Sequence, residues 1–150
     1  MPSNSTDFLY SLLALSMVGM ILTASFSSYT GLLKQSAESR KLDDVLRKVS
    51  SEIFYALTLL TDNNTILILN FRIPPKIGDR YYWIRIANDS YYSWVEGGFG
   101  VEARSEGQEH RVYLPKKVYA SGTFESRYEA LQINCSMIGS EFRVLLERRG

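Results

Sequence analysis

From Phe8 to Leu33 the chain carries no Asp, Glu, Lys, Arg or His, and from Leu42 to Leu60 its apolar residues recur at alternating steps of four and three. The two patterns predict one long helix used in two different ways. The first stretch, which includes Phe8, Leu12, Leu15, Val18 and Ile21, is apolar all round. At about 1.5 Å per residue it is longer than the roughly 20 apolar residues that a bilayer crossing requires. The second stretch sets Leu42, Leu46, Val49, Ile53, Ala56 and Leu60 on an a/d seam, broadened by Val45, Phe54 and Leu57. Arg40, Lys41, Asp44, Arg47, Lys48 and Ser51 form the opposite, solvated face. Neither Pro nor Gly falls between Leu32 and Leu60, so the helix is expected from about Thr6 to about Thr61, ending at Thr61-Asp62-Asn63-Asn64. Ser5, Thr6 and Asp7 read as an N-cap cluster, with an acid at the positive end of the helix dipole. Gly19 and Gly31 are too far apart for the GxxxG spacing and read as ordinary packing positions.

From Thr65 the period becomes two. TILILNF, RYYWIRIA, YYSWVE, HRVYLP, YEALQINC and EFRVLLER are short runs rich in β-branched and aromatic residues, separated by Pro, Gly, Asn and Ser. Six or seven strands at this spacing predict a small antiparallel sandwich or barrel. The fold class is therefore α+β, in three parts: an apolar helix over 1–33, an amphipathic extension over 34–62 and a β-rich head over 63–150. Alternation puts Tyr82, Ile84 and Ile86 on one face and Tyr81, Trp83 and Arg85 on the other. Glu96-Gly97-Gly98-Phe99-Gly100 reads as a hairpin turn, and Ser121-Gly122 as another separator. The stripe of Leu42, Leu46, Val49 and Ile53 cannot stay in water. The head is the favoured cover, because the short turn after Thr61 returns the chain at once; neighbouring subunits are the alternative.

Charge adds little to this picture. Five basic and five acidic residues lie between Lys34 and Asp62, and twelve basic against ten acidic from Asn63 onward. No segment is basic enough to take nucleic acid as a partner. The single Cys135 excludes an internal disulfide and reads as a small buried hydrophobe. His110, the lone histidine, leaves few metal or nucleophile schemes. Glu106, Glu109 and His110 read as a polar hairpin edge, and no cofactor, metal or catalytic residue is expected. Tyr81, Tyr82, Trp83, Tyr91, Tyr92 and Trp94 make an aromatic cluster suited in part to a sugar-binding or subunit-contact surface, with core filling taking the remainder.

Asparagine usage changes the picture more. Of six asparagines, four open an Asn-X-Ser/Thr tripeptide: Asn4, Asn63, Asn88 and Asn134. That excess predicts glycosylation of an exported head. The positive-inside rule points the other way, because Lys34, Arg40, Lys41, Arg47 and Lys48 follow the apolar run and no Lys or Arg precedes it. The tripeptides carry more weight, since acids interleave with those bases as in an ordinary helix surface.

The order of apolar helix, amphipathic extension and β-rich head resembles the type IV pilin superfamily, particularly archaeal pilin-like and archaellin-like proteins. DFLYSLLALSMVGMIL is similar to the helix that packs into a filament core, and Asp7 to the acidic residue near the mature N-terminus of many pilins. IPPKIGDRYYWIRI, HRVYLP and a later SG resemble head patterns of small archaeal members. No basic leader precedes the apolar run in these residues, so the resemblance does not extend to prepilin peptidase processing. It implies a non-enzymatic structural or accessory subunit of an extracellular filament, on the cell surface, self-associating or joining related pilin-like subunits and the membrane. The alternative is a single-span anchored module whose head contacts a surface layer, a glycan or a motility stator component.

Overall fold

The computed structural model describes residues 3–60, 65–100, 110–128 and 130–148, without the side chains of 3–5, 71 and 148. The chain divides into two compact units, Met1–Ala37 and Glu38–Gly150. Helix α1 covers Ser3–Leu59. Because it begins at Ser3, Thr6 and Asp7 lie inside its first two turns and not at its cap. The expected N-cap cluster is corrected accordingly: the helix already runs through these residues.

The second unit holds the amphipathic part of α1 and eight strands. They are β1 (Ile66–Arg72), β2 (Tyr82–Asn88), β3 (Ser93–Phe99), β4 (His110–Tyr113), β5 (Tyr119–Ser121), β6 (Thr123–Glu125), β7 (Ala130–Ile138) and β8 (Glu141–Arg148). They form two four-stranded sheets, ordered β1-β7-β8-β5 and β4-β3-β2-β6. The fold is α+β, and all pairs are antiparallel except β5 with β8, which run parallel. Eight strands stand where six or seven were expected. The extra pair, β5 and β6, is only three residues each, too short for alternation to reveal.

Gly122 between them makes the corner. Its φ is +115°, and a Cβ there would collide with the Leu146 carbonyl oxygen. One short segment thus leaves the first sheet and enters the second, while the Gly122 carbonyl accepts from Ile86 N–H at 3.2 Å.

The glycines of β3 correct a second expectation. Gly97 and Gly98 lie inside the strand, opposite Ile84 and Trp83, and the chain turns only after them. A Cβ on Gly97 would stand 2.7 Å from the Trp83 carbonyl oxygen and 3.0 Å from Leu46 Cδ2. The strand needs glycine because α1 packs down on it at that point.

One core joins all three layers. Leu42, Leu46, Val49 and Ile53 of α1 are fully buried, in a cluster with Ile84 and Val95 of the second sheet and Leu131, Ile133 and Val144 of the first. Burying four such side chains is worth about 6–12 kcal/mol gross. Phe54, placed on the stripe by spacing alone, is instead exposed. Cys135 is a free thiol inside this cluster, and burial pushes it up to about 11.

Candidate functional site

The apolar part of α1 offers the most unusual surface of the molecule. Phe8, Leu12, Leu15, Val18 and Ile21 are each more than half exposed, and the helix is long and apolar enough to cross a membrane. Its hydroxyls are arranged accordingly. Ser11 donates to Asp7 O at 2.9 Å, Ser16 to Leu13 O at 2.8 Å, Thr23 to Gly19 O at 2.8 Å, Ser28 to Ala24 O at 3.0 Å and Thr30 to Phe26 O at 2.7 Å. Each of these five hydroxyls is satisfied within its own helix, which lowers the cost of placing it where water is absent. Residue spacing contains this signal, since a serine or threonine inside an apolar helix has few other acceptors. Asp7 is exposed in the second turn.

The head presents two outer sheet faces. On the second sheet Arg85, Glu96 and Arg111 stand in register across β2, β3 and β4. Glu96 is 1% exposed. Arg85 Nε donates to its Oε1 at 2.6 Å, while Trp94 Nε1 at 2.7 Å and Arg111 Nε at 2.9 Å reach its Oε2. Burial pushes the Glu96 carboxyl up, but the bonds from Trp94 and Arg85 and the charges of Arg85 and Arg111 outweigh it and hold it below the usual carboxylate range. Arg85 lies over the Trp83 ring and Arg111 over Trp94. Beside them Tyr113 makes ring contacts with Tyr92 and Trp94, at centroid distances of 6.1 and 6.2 Å.

The aromatic run read from sequence is therefore divided. Tyr82 is in the core, with its hydroxyl donating to Pro74 O at 2.6 Å and its ionisation suppressed by burial. Trp83 is fully buried on the other side of the sheet, and Tyr81, Tyr91 and Tyr92 are exposed. His110 ties β4 to the helix through Nδ1, 2.7 Å from Asp43 Oδ1. The Arg85–Glu96 cross-strand pair was missed in the sequence. The hairpin turn sets Asn88 opposite Ser93, and counting back from it pairs Arg85 with Glu96.

On the first sheet, alternation leaves Ile66, Ile68 and Leu145 pointing outward around a cleft of about 660 Å3, with Asn88 and Asn134 on its lining. Asn63 lies outside the described residues, as do Glu106, Glu109 and the side chain of Asn4. Among the described residues no three of His, Cys, Asp and Glu come together. No family model, curated protein or solved structure matches the chain.

Proposed function

We propose that this chain is a structural or accessory subunit of an extracellular pilus-like or archaellum-like filament, assembled through its N-terminal helix. The observation that supports the reading is the contrast along α1: its apolar residues are more than half exposed at Leu15 and fully buried at Leu46. An apolar helical surface of that length needs lipid, like helices, or both in succession. The work is packing without a chemical step, with helices bundled at the centre and β heads outside. Each Leu or Phe side chain buried between subunits contributes about 1.5–3 kcal/mol. The tripeptide that begins at Asn88 and runs into an exposed turn of the head supports an exterior head.

Electron microscopy of the purified native protein tests this. A helical filament is expected, and dispersed detergent particles under all conditions would overturn it. Those particles would favour a membrane-anchored binding module, a reading that draws on the exposed rings of Tyr92 and Tyr113 beside Trp94.

A further inference from the structure

The cleft on the first sheet has the chemistry of a saccharide seat. Ile66, Ile68, Tyr119 and Leu145 expose apolar surface into it, and Ser121, Ser136 and Arg143 place polar groups around them. Sugar rings carry apolar C–H faces and polar hydroxyls, so both kinds of lining are matched. Two Asn-X-Ser tripeptides bring their asparagines to this one cleft, and their states differ.

Asn134 lies in the middle of β7, flanked by β1 and β8. Its Nδ2, the atom that would be glycosylated, donates to Glu147 Oε2 at 2.8 Å. Asn88 is the last residue of β2, and its tripeptide runs into an exposed turn. In that turn Asp89 Oδ1 accepts from Tyr91 N–H at 2.7 Å and Tyr92 N–H at 2.6 Å. The Asn88 Oδ1 accepts from Ala120 N–H at 3.0 Å, which fixes the amide, while no described residue accepts from its Nδ2. A transferase reaches a turn more readily than the centre of a sheet.

We propose that Asn88, and not Asn134, carries an N-linked glycan, and that its first sugars lie along the cleft over Tyr119, Leu145, Ile68 and Ile66. The proposal rests on the exterior head of the filament reading. Strands β5 and β1 are three strand spacings apart, about 14 Å, a span that a short oligosaccharide covers. Such a glycan shields apolar side chains that the fold itself leaves uncovered.

The test compares full-length wild-type protein from its native host with Ser90→Ala. That substitution removes the acceptor hydroxyl but keeps Asn88, its bond to Ala120 and the Ser90 carbonyl that Lys117 Nζ reaches. Glycopeptide mass spectrometry is expected to find sugar on Asn88 and none on Asn134. Hydrogen exchange at 66–68 and 119–121 is expected to be several-fold faster in Ser90→Ala. A bare Asn88, sugar on Asn134 instead, or an occupied Asn88 with unchanged exchange would each overturn the proposal. Protease applied to whole cells separates the two readings. A head that is cleaved but bare at Asn88 defeats this inference alone, whereas a protected head defeats it together with the exterior placement. An occupied Asn88 on a protein that forms no filament upholds this inference and breaks the assembly reading.

Discussion

Leu15 and Leu46 are the same residue type in the same helix, yet one is 73% exposed and the other 0%. Intrinsic helix preference is equal for both, so the difference lies in what each stretch has been given to pack against. Residues 38–59 carry charge on one face and leucine on the other, and the head buries the leucine in its core cluster. Residues 8–33 carry no charge to define a wet face, and their large apolar side chains are exposed. The difference teaches that the same helix buries its apolar residues where the head meets it and leaves them exposed where the charge-free stretch runs.

The sharpest way to break the comparison is to put one charge in each stretch. Val49→Asp places an unpaired carboxylate in the core, and the head should lose about 4 kcal/mol or more and unfold at room temperature or shortly above. Leu15→Arg should leave the melting of the head unchanged, since that residue contributes nothing to its core. It should instead block membrane insertion or assembly, because a central charge costs about 2.5–3.5 kcal/mol in a bilayer. Thermal melting and detergent partitioning of the two full-length variants give both answers. A head that melts early in Leu15→Arg would show that the stretches are not separable.

A smaller effect is expected on the outer face of the second sheet. Glu96→Ala removes the acceptor shared by Arg85, Arg111 and Trp94. The expected loss is about 2 kcal/mol, less than for a fully enclosed pair because both guanidinium groups retain water. Chemical denaturation measures it. Gly97→Ala should cost about 1–2 kcal/mol, because the new methyl meets backbone at Trp83 and side chain at Leu46. Gly19→Ala, where a Cβ meets nothing within 4 Å, should leave the head unchanged.

The response to pH sharpens the same contrast. Glu96 has its folded-state value lowered, so its contribution is present above the ordinary glutamate value, about 4.3, and is lost as pH falls through the folded one. Asp89, held down by the Tyr92 and Tyr91 N–H groups, acts in the same direction. Cys135 and Tyr82 have raised values. Their contribution is intact below the unfolded values and is lost as pH rises, through about 11 for the thiol. Near-ultraviolet circular dichroism of the head should therefore show a plateau that falls away at both ends. Glu96→Gln should flatten the acidic arm.

The long helix was legible because both of its patterns are local: an uncharged run and a repeating seam are visible within any few turns. The seam also marked Leu42, Leu46, Val49 and Ile53 as side chains that need cover, and all four lie buried in the core cluster of the head. Most strands were legible for the same reason, through alternation. Their order was not, because Ile66 pairs with Ser136 and Ile84 with Phe124 across long separations that no local pattern encodes. Gly97 was misread because a glycine that admits a neighbouring helix looks, in sequence, like one that makes a turn. The parallel β5–β8 pair was invisible, since three residues cannot display a period.

The pairing of β1 with β7 fixes an order of events during synthesis. Residues 8–33 leave the ribosome early and can enter lipid as a helix at once, because helix formation needs only neighbours. Strand β1 emerges soon afterwards, but its hydrogen-bonding partner is Ala130–Ile138, and β7 in turn pairs with Glu141–Arg148. The first sheet therefore has to wait for nearly the whole described chain, as folds dominated by distant pairings do. On the proposed reading of a membrane-anchored helix, anchoring precedes folding, and the Ile-Leu-Ile-Leu segment of β1 passes through its most aggregation-prone interval already tethered, where diffusion in the membrane limits how often two such strands meet.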